Sequence, residues 1–170
     1  IPELREEYID EDAVASMEFL QHMVEQVRAI RGEMNVPPST SCDVVVRINK
    51  PERIPVIEGN KHFLERLARI ENVQVGEDLE KPKLAASSVV DGEEVFVPLE
   101  GLIDIDVERG RITKEIQRVE GLLKGIDSKL GNDKFLKNAP EDVVTREKEK
   151  QANFRTNLEK LKGNLESLGS

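Results

Sequence analysis

Cationic side chains recur in one stretch of the chain at a spacing that would align them on a single helix face. Arg111, Lys114 and Arg118 are followed on that face by Gly121 and Gly125. Positive charges attract phosphates, and glycines let a sugar–phosphate strand approach a helix backbone closely. The pattern predicts a phosphate-binding track. An ordinary solvated face with tolerated glycines is the alternative.

A second cationic cluster surrounds an aromatic residue further along. Lys129, Lys134 and Lys137 flank Phe135. Lysines at a turn can bind backbone phosphates, and a ring beside them can stack on an exposed base. The alternative is that Phe135 closes the open end of a helical hairpin by packing on apolar neighbours. Two more cations complete the candidate set, Lys124 and Arg146.

Two apolar seams position these side chains. Both alternate steps of three and four residues, except where Arg109 interrupts the first seam. The average step of 3.5 indicates helices that pack on a partner helix. The first seam is Leu102, Ile105, Ile112, Ile116, Val119, Leu123, Ile126, Leu130; the second is Val144, Glu147, Gln151, Phe154, Leu158, Leu161, Leu165, Leu168. Gly131, Asn132 and Pro140 separate them, so residues 100–170 are predicted to form an antiparallel coiled-coil hairpin.

Charges beside the second seam predict how the two helices align. Lys148, Arg155 and Lys162 repeat every seven residues, and Glu120 and Asp127 occupy the equivalent positions of the first helix. We predict the pairs Glu120–Arg155 and Asp127–Lys148; the alternative is that Lys148, Arg155 and Lys162 form a basic rail on the surface. Exposed pairs of this kind contribute about 0–1 kcal/mol each, so they set register more than stability.

The chain before the hairpin divides into two predicted segments. Residues 1–39 are predicted to be a terminal helix, because Met17, Leu20, Val24, Val27, Ile30 and Met34 lie near one face of a helix spanning about 11–34. Pro37 and Pro38 end it. Arg28 and Arg31 are spaced to face a nucleic acid, to bridge to other helices, or to pair with Glu25 or Glu33.

Residues 40–99 are predicted to form a small α+β connector of three or four strands with one helix on a face. The β-branched run 42–48 predicts a strand, 59–70 a helix and 72–75 a half-buried strand. Asp91-Gly92 joins two further β-rich runs, a signal for a type I′ hairpin. The predicted fold class is α+β: N-terminal helix, mixed connector and helical hairpin.

Composition narrows the classes of function. The chain has 170 residues, net charge −9, 38% hydrophobic and 35% charged residues. The charge is uneven, with −10 in residues 1–100 and +1 in 101–170, which hints at a polyanionic partner for the second part. The carboxylates read as surface groups, and no Ser/His/Asp or Cys/His set indicates catalysis.

Several other classes are also disfavoured. The single Cys42 and the distant His22 and His62 predict no metal site, and no apolar run is long enough for a membrane span. No signal peptide is evident. We therefore expect a cytoplasmic protein without its own cofactor. A chain that opens at Ile1 rather than methionine is expected to be a piece of something longer.

Three blocks resemble segments of valyl-tRNA synthetases, in the order and about the spacing of that family. Residues 28–39 (RAIRGEMNVPPS) resemble the end of its anticodon-binding helical domain, and 95–104 (VFVPLEGLID) the entry into its coiled-coil arm. The tip of that arm is matched by Lys129, Leu130, Asn132, Phe135, Ala139, Pro140, Val143, Val144, Glu147 and Lys150. The chain departs from the family at Gly32, Gly110, Gly121, Gly125 and Gly163, where good helix formers are expected.

The resemblance implies that this chain is a tRNA-binding segment of a valine–tRNA ligase. Its arm would hold the outer corner of valine tRNA through backbone contacts. Aminoacylation with ATP and valine, and editing, would belong to domains that are absent here, since the catalytic signatures of the family are missing. The implied partners are tRNA and those domains, with no membrane and no DNA. The alternative is a structural coiled-coil protein that binds a protein partner or self-associates.

Overall fold

The computed structural model describes residues 10–169, which separate into two compact units. One unit ends at Ile103 and the other begins at Asp104. Residues 1–9 of the predicted first segment lie outside the described part, as does Ser170. The fold class is α+β, as predicted. The separation of 1–39 from 40–99 as domains stays a prediction, because both ranges fall within the first unit.

The first unit is built around a mixed four-stranded sheet. Its elements in chain order are α1 (Glu11–Glu33), β1 (Cys42–Arg47), α2 (Arg53–Gly59), α3 (Lys61–Ala68), β2 (Ile70–Gly76), β3 (Ala85–Val90) and β4 (Glu93–Pro98). The strand order is β2-β1-β4-β3, with β1 parallel to β2 and the other neighbours antiparallel. Helices α2 and α3 form the crossover that a parallel pair requires.

The predicted hairpin at Asp91-Gly92 is confirmed. The two residues have φ of 49° and 88°, the positive values that a type I′ turn needs at both central positions. Val90 pairs with Glu93 across the turn, and the register continues to Ala85 opposite Pro98. Glycine carries the larger positive φ without strain.

The predicted helix 11–34 corresponds to α1, but its buried stripe is shifted. Asp10 caps the helix by accepting hydrogen bonds from the backbone N–H groups of Asp12 and Ala13, both at 3.1 Å. Burial begins only at Phe19. Met17 was predicted to join the stripe and is 41% exposed. The helix packs on β3 and β4 and also on α3, and residues 11–15 at its start are exposed.

The helix predicted over 59–70 corresponds to α3, which is two residues shorter at each end. A helix that was not predicted, α2, precedes it: α2 ends at Gly59, Asn60 separates the two helices, and α3 ends at Ala68. Arg69 has a left-handed backbone with φ of 52°, which stops α3, and Ile70 begins β2 instead of completing the helix. The prediction of one helix on the sheet therefore fails, since α2 and α3 both contact β2.

A buried ion pair ties the turn of the hairpin to the rest of the unit. The Glu93 side chain is fully buried and lies 2.9 Å from an Arg53 guanidinium nitrogen. Its other oxygen accepts a hydrogen bond from the backbone N–H of Asn49. The Arg53 guanidinium stacks over the Phe19 ring at 4.4 Å, which joins α1 to the same network.

Arg28 and Arg31, near the end of α1, donate hydrogen bonds to backbone carbonyl groups. Arg28 Nε donates to the Leu67 carbonyl at 2.8 Å, and Arg31 is buried and donates to the Thr40 carbonyl at 2.7 Å. Of the alternatives that the sequence left open, bridging to another helix is the one that the structure shows for Arg28. Arg28 caps the C-terminal end of α3, and Arg31 binds the backbone just before β1.

The second unit contains the predicted helical hairpin. Its helices are α4 (Ile105–Leu130), α5 (Asp133–Asn138) and α6 (Glu141–Ser167), and α4 packs along α6. Asp104 caps α4 by accepting a hydrogen bond from the Val107 N–H at 3.1 Å. At 26 and 27 residues, the long helices extend about 40 Å. The short helix α5 was not predicted.

Candidate nucleic-acid interface

The apolar seams pack on each other and leave the opposite face of α4 to solvent. Ile112, Ile116, Val119 and Ile126 are buried on α4, and Leu168 is buried at the end of α6. The remaining leucines and the phenylalanine of the second seam are half-buried, as expected for a two-helix structure that encloses no thick core. Any binding by the hairpin therefore depends on side chains at its surface.

The five residues of the predicted track are all exposed. Two of its three cations, however, are held by carboxylates one turn earlier in the helix. Arg111 Nε donates to the buried Glu108 at 2.6 Å, and Arg118 lies 2.7 Å from Glu115. These hydrogen bonds lower the pKa of Glu115 and raise the pKa of both arginines. Both arginines are thus already partly neutralised.

The tip loop is organised by Asn132, which caps α5. Its side chain accepts hydrogen bonds from the backbone N–H groups of Lys134 at 2.9 Å and Phe135 at 3.4 Å. Phe135 is half-buried, whereas Leu136 beside it is 41% exposed. Leu136 is therefore the apolar side chain that the tip offers to solvent, and no periodic pattern in the sequence distinguished it from Phe135.

The other two candidate cations near the tip have acidic partners. Lys129 lies 3.5 Å from Glu147, which belongs to α6 and is buried. Arg146 lies 3.8 Å from Asp142 within α6. Each pair reduces the positive charge that these side chains present to a ligand.

The structure therefore sorts the predicted cations by the partners they already have. Four of them form no ion pair within the described residues, and we refer to them as the four unpaired lysines: Lys114, Lys124, Lys134 and Lys137. All four are exposed. An unpaired ammonium can bind a phosphate without first giving up a carboxylate, so these side chains carry most of the available attraction.

The predicted alignment of the two helices is wrong by one heptad. Glu120 pairs with Lys162 at 3.1 Å, and Asp127 pairs with Arg155 at 3.4 Å, seven residues beyond the predicted partner in each case. Lys148 forms no ion pair in the described chain. A shift of seven keeps every residue at its heptad position, so periodicity alone could not separate the two registers.

Polar contacts close the arm at its base and near its tip. Arg109 interrupts the first seam, and one of its terminal nitrogens donates to the Leu168 carbonyl at 2.7 Å, at the end of α6. Glu147 interrupts the second seam and contacts both Lys129 and Lys150. Lys150 was missed as a candidate, although its spacing of three residues from Glu147 indicates such a contact.

Comparison with known proteins identifies the second unit. Residues 104–169 match the family model described as the valyl tRNA synthetase tRNA binding arm. This second unit belongs to the family of valyl-tRNA synthetase tRNA-binding arms. The matched residues begin at the boundary between the two compact units, so the arm of this family corresponds to the helical hairpin.

Curated relatives extend the match to the first unit. A valine–tRNA ligase of Chlorobaculum tepidum is 39% identical over 93% of this chain, and one of Enterococcus faecalis is 35% identical over 99% of it. A third, from Desulfotalea psychrophila, is 41% identical over 85% of the chain. The chain spans between 16% and 19% of the length of these relatives. It is similar to one region of a much longer enzyme.

Clusters of metal-ligating side chains and membrane-spanning helices are both absent from the described residues. Between residues 10 and 169, no group of three or more His, Cys, Asp or Glu side chains is placed to hold a metal ion. In the same range, no helix is both long and apolar enough to cross a membrane.

Proposed function

We propose that this chain helps a valine–tRNA ligase to hold valine tRNA, through backbone contacts made by the arm at the outer corner of the tRNA. The rest of that enzyme would use ATP and valine for aminoacylation and would edit errors, in the cytoplasm. The segment described here would contribute binding without catalysis. Its partners would be tRNA and the remaining domains of the synthetase.

One observation carries the proposal. The region that matches a tRNA-binding arm is also the region whose surface carries the four unpaired lysines, two on α4 and two on α5. Lysine is suited to contacts that tolerate sequence, because an ammonium binds phosphate oxygens in many geometries. The rival function, a coiled coil assembled between chains, has less support because the two seams already pack on each other within one chain.

Salt dependence tests the proposal on the unmodified chain. If four lysines each displace a counterion, the logarithm of the association constant for valine tRNA falls with the logarithm of salt concentration with a slope of about −3. Fluorescence anisotropy of labelled tRNA between about 50 and 200 mM salt measures this slope. A flat dependence, or no detectable binding at the low-salt end, would count against the proposal.

Substituting the two glycines of the track tests whether this face of α4 binds RNA or is an ordinary solvated face. A Cβ atom at Gly121 or Gly125 would meet nothing within 4 Å, so the double substitution to alanine strains nothing in the fold. We expect it to raise the free energy of unfolding by about 0.5–1 kcal/mol per site. If an RNA strand lies against this face, the same methyl groups weaken tRNA binding by about 3–10-fold.

Gly163→Ala is the matched control for this pair. Gly163 lies within α6, and a Cβ atom there also meets nothing within 4 Å. It should stabilise the arm in urea unfolding followed by circular dichroism and leave tRNA affinity unchanged. Equal affinity for the double variant and the unmodified chain would show that Gly121 and Gly125 belong to an ordinary solvated face.

A further inference from the structure

Two lysines from different helices of the arm share one carboxylate. Lys129 of α4 and Lys150 of α6 lie 3.5 Å and 3.1 Å from the side-chain oxygens of Glu147. Glu147 is 8% exposed, whereas the side chains of both lysines are more than half exposed. The carboxylate thus lies beneath two ammonium groups that face solvent.

This cluster differs from the ion pairs that other candidate cations form. The contacts of Arg118 with Glu115 and of Arg146 with Asp142 join one cation to one carboxylate within a single helix. At Glu147 two cations meet one carboxylate, which leaves an excess positive charge at a fixed place. The lysines hold the pKa of Glu147 below its ordinary value, so the carboxylate stays ionised at neutral pH.

We propose that Lys129 and Lys150 form a seat for a single phosphate of the RNA backbone, with Glu147 as the positioning residue. Each ammonium has three N–H donors and needs only one for Glu147, so both retain donors for a phosphate oxygen. The buried carboxylate offsets the repulsion between the two ammonium groups and holds them together before the ligand arrives. The seat rests on the proposed function, and it assigns Lys150 a role that the sequence did not suggest.

A shared ligand has a measurable consequence, because two groups that bind one phosphate act as a unit. We expect Lys129→Ala and Lys150→Ala each to weaken binding of valine tRNA by about 3–10-fold and to reduce the salt slope by about one. The double substitution should be little weaker than either single substitution. Lys148→Ala is the control, since Lys148 is an exposed lysine of the same helix with no ion pair in the described range.

Glu147→Gln tests the positioning role. It preserves the shape of the side chain but removes the charge that holds both ammonium groups. In the Glu147→Gln background, the effects of the two lysine substitutions on the binding free energy should become additive. A role in helix stability alone would change the melting temperature of the chain and leave this coupling as it was.

Several outcomes would overturn the seat. It is wrong if the two lysine substitutions are additive in the unmodified background, or if they affect binding no more than Lys148→Ala. If tRNA binding then still depends on Lys134 and Lys137, the proposed function of the arm survives. If the unmodified chain does not bind tRNA at all, both proposals fail together.

Discussion

Replacing Glu93 by glutamine is expected to lower the free energy of unfolding of the first unit by about 3 kcal/mol. Breaking a buried ion pair from one side typically costs about 3–5 kcal/mol, because the remaining charge loses its partner inside the protein. The lower end applies because the Arg53 side chain keeps 18% exposure and the amide can still accept hydrogen bonds. Urea unfolding followed by circular dichroism measures the change.

Glu94→Gln is the matched control, at the next position of the same strand. Glu94 also pairs with an arginine, Arg47, but its side chain is 39% exposed. Its loss should cost no more than about 1 kcal/mol. Adding Arg53→Met to Glu93→Gln should recover part of the loss, since no unpaired charge then remains. A change below about 0.5 kcal/mol for Glu93→Gln would show that the buried pair is not a main support of the hairpin turn.

Substituting alanine for all four unpaired lysines is expected to weaken tRNA binding by about a hundredfold at low salt. Each ammonium that contacts a phosphate contributes to affinity through counterion release, and its loss also lowers the salt slope by about 0.7–0.9. The four changes leave both seams and their interhelical ion pairs untouched. Fluorescence anisotropy against salt concentration gives both quantities, and circular dichroism checks that the arm remains helical.

The matched control removes the same charge from the first unit. It substitutes alanine at four lysines with no ion pair in the part of the chain that the structure describes: Lys50, Lys61, Lys81 and Lys83. If net charge alone governs binding, both quadruple variants lose affinity equally. If the arm forms the interface, this control stays within about threefold of the unmodified chain.

Periodicity predicted the helices of the arm but not how they align. The seams indicate which faces of α4 and α6 meet, since burial repeats every three or four residues. They do not determine register, because moving one helix by seven residues preserves the pattern. The short helix α5 was also outside that pattern. It lies between α4 and α6, where a turn was predicted.

In the first unit, local sequence patterns predicted correctly those features that depend on backbone conformation alone. Asp91-Gly92 has few alternatives to a tight turn between β-rich runs, and the turn was predicted correctly. The break at Asn60 and the left-handed Arg69 depend on packing around α3, so the apolar pattern through Ile70 extended the helix too far. Burial of Glu93 is likewise a product of tertiary structure, as its partner Arg53 is distant in sequence.

For the candidate interface, the sequence predicted which side chains face solvent better than it predicted which of them already have acidic partners. Heptad positions placed Arg111 and Arg118 on the outer face, and both are exposed there. Whether such a cation is free depends on rotamers and on carboxylates one turn away, which composition does not reveal. The role of every candidate residue in RNA binding stays a prediction.

Mapping the tRNA contact on the chain tests the central claim most directly. Amide resonances of the ¹⁵N-labelled chain would be recorded by NMR while valine tRNA is added at low salt. We expect shifts along the outer face of α4 and through the tip, between residues 110 and 150, with few changes in residues 10–103. Shifts confined to the first unit, or no saturable shifts in the arm, would contradict the account.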